Sequence, residues 1–472
     1  MRTAISLRRQ ISQKFSSQPH GEVHSQPSSF VFHPSSTPPP PQTRSLPDTA
    51  VRSERPRCGG RESNFLAVAL KAALPVVLAL ACVPHTAVAG PLLSPDLQAQ
   101  TVFSTTYTTT GANSTVYGNV LAGGVSTIGA SGLVSGDLVS GGAANLGGIG
   151  TSARNAEVTG SISSGGVLTT GDHAVVGGNI TSSGASTVGA NSQTGGNMIS
   201  DGAATTGASS IVWGNIATGG AASIGATATV VGEVAAVGVI TVDAGSTIGS
   251  QRTLSSSLID PTAFTAAINS RVSDGAMHVT AAQTALTRMG TGTALAPTIT
   301  TDRTLNSGVY SAASLSTTAG TTLFLDGQHL DNQYWVFNIT DILTTGASTS
   351  IVLINAGSNS GVIWNTGGYA SLGASSTFIG TILANTYISV GANTNVSGVE
   401  NSCGGLYSAT SYVSTGDTAI VGGNGCTDTG SRFSIDANGT AFFVPIPEPT
   451  SCSLLITFLL FGILRRVRNV AA

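Results

Sequence analysis

Glycine recurs on an eighteen-residue period through the first half of the chain, and nothing else in the sequence restricts the fold as strongly. Gly111, Gly129, Gly147, Gly171, Gly189, Gly207 and Gly225 stand eighteen apart, with one step of 24. A second series, Gly118, Gly136, Gly160, Gly178, Gly196, Gly214 and Gly232, follows seven residues later, and the third repeat takes its extra residues before its second glycine. A short fixed period of this kind predicts a solenoid, in which each unit packs only on its neighbours. Aliphatic or small residues keep their places in every unit. Val120, Leu138, Ile162, Ile180, Met198, Ile216 and Val234 form one column, and Val125, Ala143, Val167, Ala185, Ala203, Ala221 and Val239 form another. Short runs rich in Val, Ile and Thr between glycine turns are strands, not helices. The sequence therefore predicts a mainly β chain. Its fold is a parallel β-solenoid of roughly triangular cross-section with about 18 residues and three short strands per coil. Glycines take the corners, where φ is positive or backbones approach closely.

One stretch breaks the period. Asp260-Pro261 reads as an N-cap followed by the first helical residue. Residues 262–289 then have helical composition, with Phe264, Ile268 and Val272 on one stripe and Gly275 as a point of division or kinking. A single long α-helix packed alongside the solenoid is expected. After it the repeat returns: Gly373 to Gly391 is eighteen residues, and Gly373 to Gly380 and Gly391 to Gly398 are seven each. The expected organisation is glycine-rich coils over 100–255, a helix over 256–290 and further coils over 291–430. Both sets of coils would build one extended solenoid.

The ends read as addresses. Residues 1–63 are rich in Ser, Pro and Arg, with a proline run at 38–41, and cannot bury a core. The apolar stretch 65–83 leads to Ala87-Val88-Ala89, a small-residue cleavage site, so 64–89 reads as a signal peptide cut at Ala87/Ala89. The basic segment ahead of it is too long for an ordinary n-region. It is either the product of a misplaced start codon, the favoured reading, or an unusually extended signal. At the other end, Pro447-Glu448-Pro449 precedes thirteen apolar or small residues and then Arg465, Arg466 and Arg468. Thirteen helical residues reach about 20 Å, short of a bilayer core of about 30 Å, and the arginines favour the cytoplasmic side. The arrangement over 444–472 resembles the PEP-CTERM sorting tail. That resemblance implies an exosortase-type membrane protease as a partner and transient inner-membrane anchoring through the tail. It also implies release to the cell surface or the exterior of a Gram-negative bacterium.

Charge follows the same division. The chain has a formal net charge of −3 and only 9% charged residues. Residues 1–89 hold ten basic and four acidic residues, 90–450 hold six Arg and eighteen Asp or Glu, and 451–472 hold three Arg. Lys14 and Lys71 are the only lysines. An acidic, lysine-free centre excludes nucleic-acid binding there, because phosphate contacts need clustered Lys and Arg.

Stacked coils turn each repeat position into a straight row, with rungs about 4.7–4.9 Å apart. The residue two before the first glycine gives Thr109, Thr127, Asn145, Thr169, Thr187, Thr205 and Ser223, then Thr344, Ser371 and Ser389 in the second half. Neighbouring positions add Asn113, Ser209, Thr227, Ser348, Thr377 and Asn393. The residue after the second glycine gives Asn119, Asp137, Ser161, Asn179, Asn197, Asn215 and Glu233. β-Branched threonine is stiff at χ1, so its methyl and hydroxyl can be held in register. A flat, uncharged, repetitive face suits a repeating surface such as ice. Such ladders also cap turns and satisfy backbone groups in solenoids, with no ligand involved.

Leu305-Asn306-Ser307-Gly308-Val309-Tyr310, Thr322-Leu323-Phe324-Leu325-Asp326-Gly327 and Tyr334-Trp335-Val336-Phe337-Asn338-Ile339 resemble the ice-binding protein family that sets one long helix beside a β-solenoid. Val362-Ile363-Trp364 and Phe378-Ile379-Gly380-Thr381-Ile382-Leu383-Ala384 continue the resemblance, which is strong over 290–400 and looser over 185–290 and does not clearly cover 100–185, to be read as extra coils or a separate repeat module. The resemblance implies adsorption to an ice surface through one flat face, in some members by a Thr-Ala/Gly-x-Thr/Asn motif. Thr110-Gly111-Ala112-Asn113 matches it; Thr206-Gly207-Ala208-Ser209 and Thr345-Gly346-Ala347-Ser348 match with Ser last. Val390-Gly391-Ala392-Asn393 departs at its first position, as though that residue points inward.

The function expected from the sequence is an exported ice-binding protein that is not an enzyme, needs no cofactor or metal, and slows ice growth or recrystallisation. The alternative is a matrix or cell-surface adhesin, or a structural repeat protein, with exopolysaccharide or the outer cell surface as partner. His173, His278 and His329 lack metal-ligand spacing, and Asp326, Asp331 and Asp341 read as solvated turn residues. Cys403 and Cys426 are candidates for a disulfide stapling the last coils in an oxidising compartment.

Overall fold

A computed structural model describes residues 88–150, 154–400, 402–424, 426 and 432–445. Short strands dominate. On one face they form a parallel sheet of fourteen strands, and its order reveals the path of the chain. From one end the strands run Thr298–Ile299, Leu315–Thr317, Leu343–Thr344, Ala370–Leu372, Ile388–Val390 and Val413–Thr415. They continue without a break through Thr108–Thr110, Ser126–Ile128, Ala144–Leu146, Leu168–Thr170, Ser186–Val188, Ala204–Thr206, Ala222–Ile224 and Ile240–Val242. The first coil in sequence therefore stacks on the last. The chain starts in the middle of the solenoid and winds outward to residue 253. It then returns along the side as a helix and winds back inward from the opposite end.

The join between first and last coils is paired on all three sides, with Thr109 opposite Ser414, Thr115 opposite Ile420, and Val102 opposite Leu406. The interior alternates with the exterior along each strand, and the inward residues form one continuous core. Between residues 102 and 236 that core is aliphatic. Between 295 and 421 it also holds Tyr310, Trp335, Phe337, Trp364 and Phe378.

After a single helical turn at Pro95–Gln98 (α1), the long helix α2 runs unbroken over Pro261–Thr287. Its N-terminus follows the sequence: Asp260 accepts from the Thr262 and Ala263 amides at 3.0 Å each, with Pro261 leading the helix. Gly275 neither divides nor kinks α2. A Cβ there would lie 2.6 Å from the Phe103 ring, so the glycine lets the helix sit close over the join between first and last coils. Twenty-seven residues span about 40 Å, roughly eight coil steps. Polar contacts fit that reach, from Thr265 bonded to Ser183 at one end to Leu286 O accepting from Asn338 at the other. The face under α2 is apolar: Phe103, Leu121, Val336, Ile363, Leu383 and Tyr407 are buried against Ile268, Val272, Val279, Ala282, Ala285 and Leu286. Gln283 donates to Thr366 O and Leu383 O, and Asn365 donates to Gln283 O, tying the helix to these coils. Among the described residues no helix is long and apolar enough to cross a membrane.

A small antiparallel sheet, Val88–Pro91 with Phe433–Asp436 and Ala441–Phe443, lies outside the solenoid pattern and packs on the same helix-bearing side. Arg288 near the end of α2 donates to Asn438 O at 3.0 Å there. Cys403 and Cys426 are joined, with Cα atoms 5.1 Å apart. The cleavage site at Ala87 and the sorting residues Pro447, Glu448, Pro449, Arg465, Arg466 and Arg468 lie outside the described residues.

The corners differ from expectation in one respect. The left-handed position after the first glycine is occupied by side-chain-bearing residues, whereas Gly118 and Gly380 take positive φ at the later corner. Asn113, Ser209, Thr227, Ser348 and Asn393 hold φ between 56° and 59° at the first of these positions. The first glycine series serves close approach instead: a Cβ on Gly129 would stand 2.5 Å from the Gly111 carbonyl carbon of the coil below.

Candidate functional site

α2 covers one face, which leaves two open. They differ in chemistry. On the second face the paired outward residues run Ser350, Thr377, Asn395, Ile420, Thr115, Leu133, Glu157, Val175, Gln193, Ile211 and Thr229. Ser350, Thr377 and Asn395 begin it, and aliphatic, amide and charged groups then interrupt the hydroxyls.

The fourteen-stranded face has one kind of residue at its outward centre. Strand register sets Thr298, Ser316, Thr344, Ser371, Ser389 and Ser414 in line with Thr109, Thr127, Asn145, Thr169, Thr187, Thr205, Ser223 and Thr241. All are hydroxyl residues except Asn145. At parallel-strand spacing the row is about 60 Å long. Every member is partly or fully exposed. Ser316 donates to Thr298 Oγ1 at 2.9 Å and to Pro297 O at 3.1 Å; among the described residues the other row side chains make no hydrogen bond within the protein. Ser316 and Thr298 aside, these hydroxyls neither cap turns nor satisfy backbone groups. Their hydrogen-bonding capacity faces solvent.

The flanks carry few charges, among them Asp172, Asp417 and Asp243 beside the row. Beyond the row, Gly373, Gly391, Gly111, Gly129, Gly189 and Gly207 present bare backbone, with alanine next in most coils. On the other side Tyr369, Tyr387, Tyr412 and Tyr107 stack in succession, with centroids 4.6, 5.0 and 4.6 Å apart and planes within 9°. Burial in the stack pushes the Tyr387 and Tyr412 phenols above their ordinary pKa, and the adjacent tyrosines push the same way. The stack spans the join between the two halves.

The sequence-predicted residues divide four ways. Thr109, Thr127, Thr187, Thr205 and Thr344 stand on the row. Thr110, Thr206 and Thr345 do not: they are 3%, 2% and 9% exposed. Each turns inward, and its hydroxyl accepts from the glycine amide of the next coil, as Gly373 N does to Thr345 Oγ1 at 2.9 Å. The first residue of the Thr-Gly-Ala-x motif is thus interior, which is why aliphatic residues replace it in other coils. Asn113, Ser209, Thr227, Ser348 and Asn393 sit at the left-handed corner beside the row, with Ser209 and Thr227 bonded to each other at 2.8 Å. Thr377 belongs to the second face, opposite Ser350 and Asn395.

The amide ladder after the second glycine is structural. Asn119, Asp137, Asn179, Asn197 and Asn215 each accept the backbone amide one coil on, at 2.7–2.8 Å. Sequence reasoning missed Thr298, Ser316, Ser414 and Thr241. Ser414 is followed by Thr415-Gly416-Asp417 in place of the usual alanine, and Ser316 and Thr241 lack the glycine two residues on. The signal that finds them is the hydroxyl flanked by two inward positions, independent of the glycine. Among the described residues no group of three His, Cys, Asp or Glu is placed to hold a metal ion.

Comparison with known proteins agrees with the resemblance noted in the sequence. Residues 250–421 match the family model described as Ice-binding-like. "Ice-binding protein 1" of Shewanella frigidimarina (strain NCIMB 400) is 32% identical over 122 residues, 26% of this chain and 13% of that protein. "Ice-binding protein" of Nostoc sp. (strain HG1) is 39% identical over 93 residues, 20% of this chain and 34% of that protein. The matches therefore span only about an eighth and a third of these relatives' lengths. Among solved structures, an ice-binding protein from the Antarctic ascomycete Antarctomyces psychrotrophicus aligns at a TM-score of 0.33 and 15% identity, covering 70% of this chain and 97% of that one. A domain of the Shewanella frigidimarina protein aligns at 0.28 and 21%, covering 46% and 92%. The solenoid itself is established by the strand pairing described above.

Proposed function

Residues 250–421 are an ice-binding-like region, and from that premise we propose that this protein adsorbs to ice through the outward row running from Thr298 to Thr241. The observation that carries the proposal is the continuity of the row across both halves, with every member but Ser316 and Thr298 uncommitted inside the protein. At the threonine rungs a hydroxyl held by a stiff β-branched side chain loses little entropy on meeting an ordered partner, and the serine rungs are held by the paired strand alone. Repeated along about 60 Å, weak contacts to one lattice add up as a multivalent attachment. The scarcity of charge matters as much, because an ion would retain its own hydration shell in place of the lattice. Pinned molecules slow growth and recrystallisation of ice by occupying its surface; no bond is made or broken, so no catalytic group is needed. The signal-like stretch ending at Ala89 and the Pro-Glu-Pro tail support export, with a membrane protease removing the tail.

Thermal hysteresis and recrystallisation inhibition of the purified protein test the reading. Ser389→Lys, in the middle of the row, is expected to lower thermal hysteresis several-fold while the melting temperature stays within about 2 °C, as for an ordinary surface substitution. Absence of ice shaping by the wild-type protein at high concentration contradicts the proposal.

A further inference from the structure

The two ends of the solenoid are built differently. At the end formed by Thr298–Ile299 and Arg303–Asn306, Pro297 removes an edge N–H, and Asp302 and Arg303 stand exposed on the last coil. Its core is closed, with Leu295, Ile299 and Leu305 only 7%, 4% and 4% exposed. Proline, edge charges and a sealed core are the features that keep a sheet edge from pairing with another chain.

The opposite end has none of these. Ile240–Val242 pairs only with Ala222–Ile224, and Thr247–Thr253 only with Thr229–Ala236. Among the described residues nothing pairs with their outer edges. The stretch 237–253 contains no proline. Its two charges are of opposite sign, Asp243 and Arg252, and Arg252 is already paired with Glu233 of its own chain at 2.9 Å. The core is open here: Ile240, Val242 and Ile248 are only partly buried, whereas Ala222, Ile224 and Val230 one coil inward are at most 1% exposed. Val239 is 74% exposed, and Val231 and Val237 are also exposed.

We propose that this open end is an interface between two copies of the chain, which associate end to end as a closed dimer. The chain itself shows that exposed coil edges can dock, there in parallel register; the two-fold contact would pair the same kind of edge antiparallel. Its first coil seats on its last with pairing on all three sides, although more than 290 residues separate them in sequence. The partner is a second copy meeting the same end, because the opposite end is guarded. Open-to-guarded stacking would build a filament, whereas open-to-open stacking closes after two copies by two-fold symmetry. Two edges of one sequence supply matching rows of N–H and C=O groups and cover each other's half-buried isoleucines and valines. Thr241, the last rung of the hydroxyl row, lies at the junction, so dimerisation doubles the number of rungs carried by one particle.

Sedimentation equilibrium of the purified protein tests this without reference to ice. The expected mass is twice that of the monomer at micromolar concentration. Val239→Lys, at a site too exposed to threaten folding, combined with Ile248→Lys is expected to return the mass to that of the monomer with the circular dichroism spectrum unchanged. Thr298→Lys at the guarded end is expected to leave the dimer intact. A wild-type protein monomeric up to millimolar concentration overturns the proposal, as does a dimer that survives both lysines. Slow amide exchange over 240–253 in a monomer also overturns it, since a segment of the same chain would then cover the edge.

Discussion

The coils on either side of the join reach the same outer row from different interiors. From 102 to 236 the interior is Val, Ile, Leu, Ala and Met, and the eighteen-residue period is kept with one insertion. From 295 to 421 the interior adds Tyr310, Trp335, Phe337, Trp364 and Phe378 to its aliphatic residues, and the coils are uneven, with extra residues around 327–333 and 355–360. Phe337 and Trp364 stack there at 3.7 Å, Trp364 continues to Phe378 at 5.0 Å, and the Trp335 and Trp364 indoles donate to Leu305 O and Ile379 O. The outward hydroxyls nevertheless remain in register from end to end. Interior volume and outer pattern are thus independent in this fold, because alternate residues along a strand face opposite ways. A coil can change its core without disturbing what it presents.

The contrast can be broken most sharply from the aromatic side. Trp364→Ala removes a stacked ring and strands the Ile379 carbonyl, and should cost about 3–5 kcal/mol. Ile216→Val in the aliphatic half should cost only about 0.5–1.5 kcal/mol. Urea unfolding of the two variants measures both, and equal losses would show the two interiors to be energetically alike. Gly275→Ala is expected to cost about 1–3 kcal/mol, since its methyl meets Phe103 where the halves join. Thermal melting followed by circular dichroism reads that loss, and an unchanged melting point would mean that α2 can move aside.

The smallest effect concerns Glu157, which lies between Leu133 and Val175 on the second face. Burial raises its pKa, and the opposing pull of Arg154 is smaller. A raised folded-state pKa means that the native state binds the proton more tightly than the unfolded chain. Its contribution to stability therefore falls as pH rises from the ordinary glutamate value through the folded value. Glu157→Gln is expected to stabilise the protein slightly at pH 7, with the difference vanishing at low pH in melting curves taken across that range. A loss of stability at pH 7 would show that the pairing with Arg154 outweighs the burial.

The period made the solenoid legible, and Asp260-Pro261 marked the start of the helix within a residue. Most of the row was legible as well, because Thr109 to Ser223 repeat in phase with glycine. Its inner limit was not. In Thr109-Thr110 both residues are threonine, and only strand alternation separates the exposed hydroxyl from the one 3% exposed. The order of the coils was not legible either. Contacts such as Thr109 with Ser414 join residues about 300 apart, and no local pattern encodes that pairing. The antiparallel sheet joining Val88–Pro91 to Phe433–Asp436 was missed for the same reason.

The central claim is that one row, shared by both halves, meets the ice. Thr205 lies on that row but outside the region that matches the ice-binding-like family. Thermal hysteresis of Thr205→Lys tests the claim most directly. A fall to well under half the wild-type value with an unchanged melting temperature is the predicted result. Full activity in a folded Thr205→Lys protein would contradict it, confining the ice contact to the coils after α2.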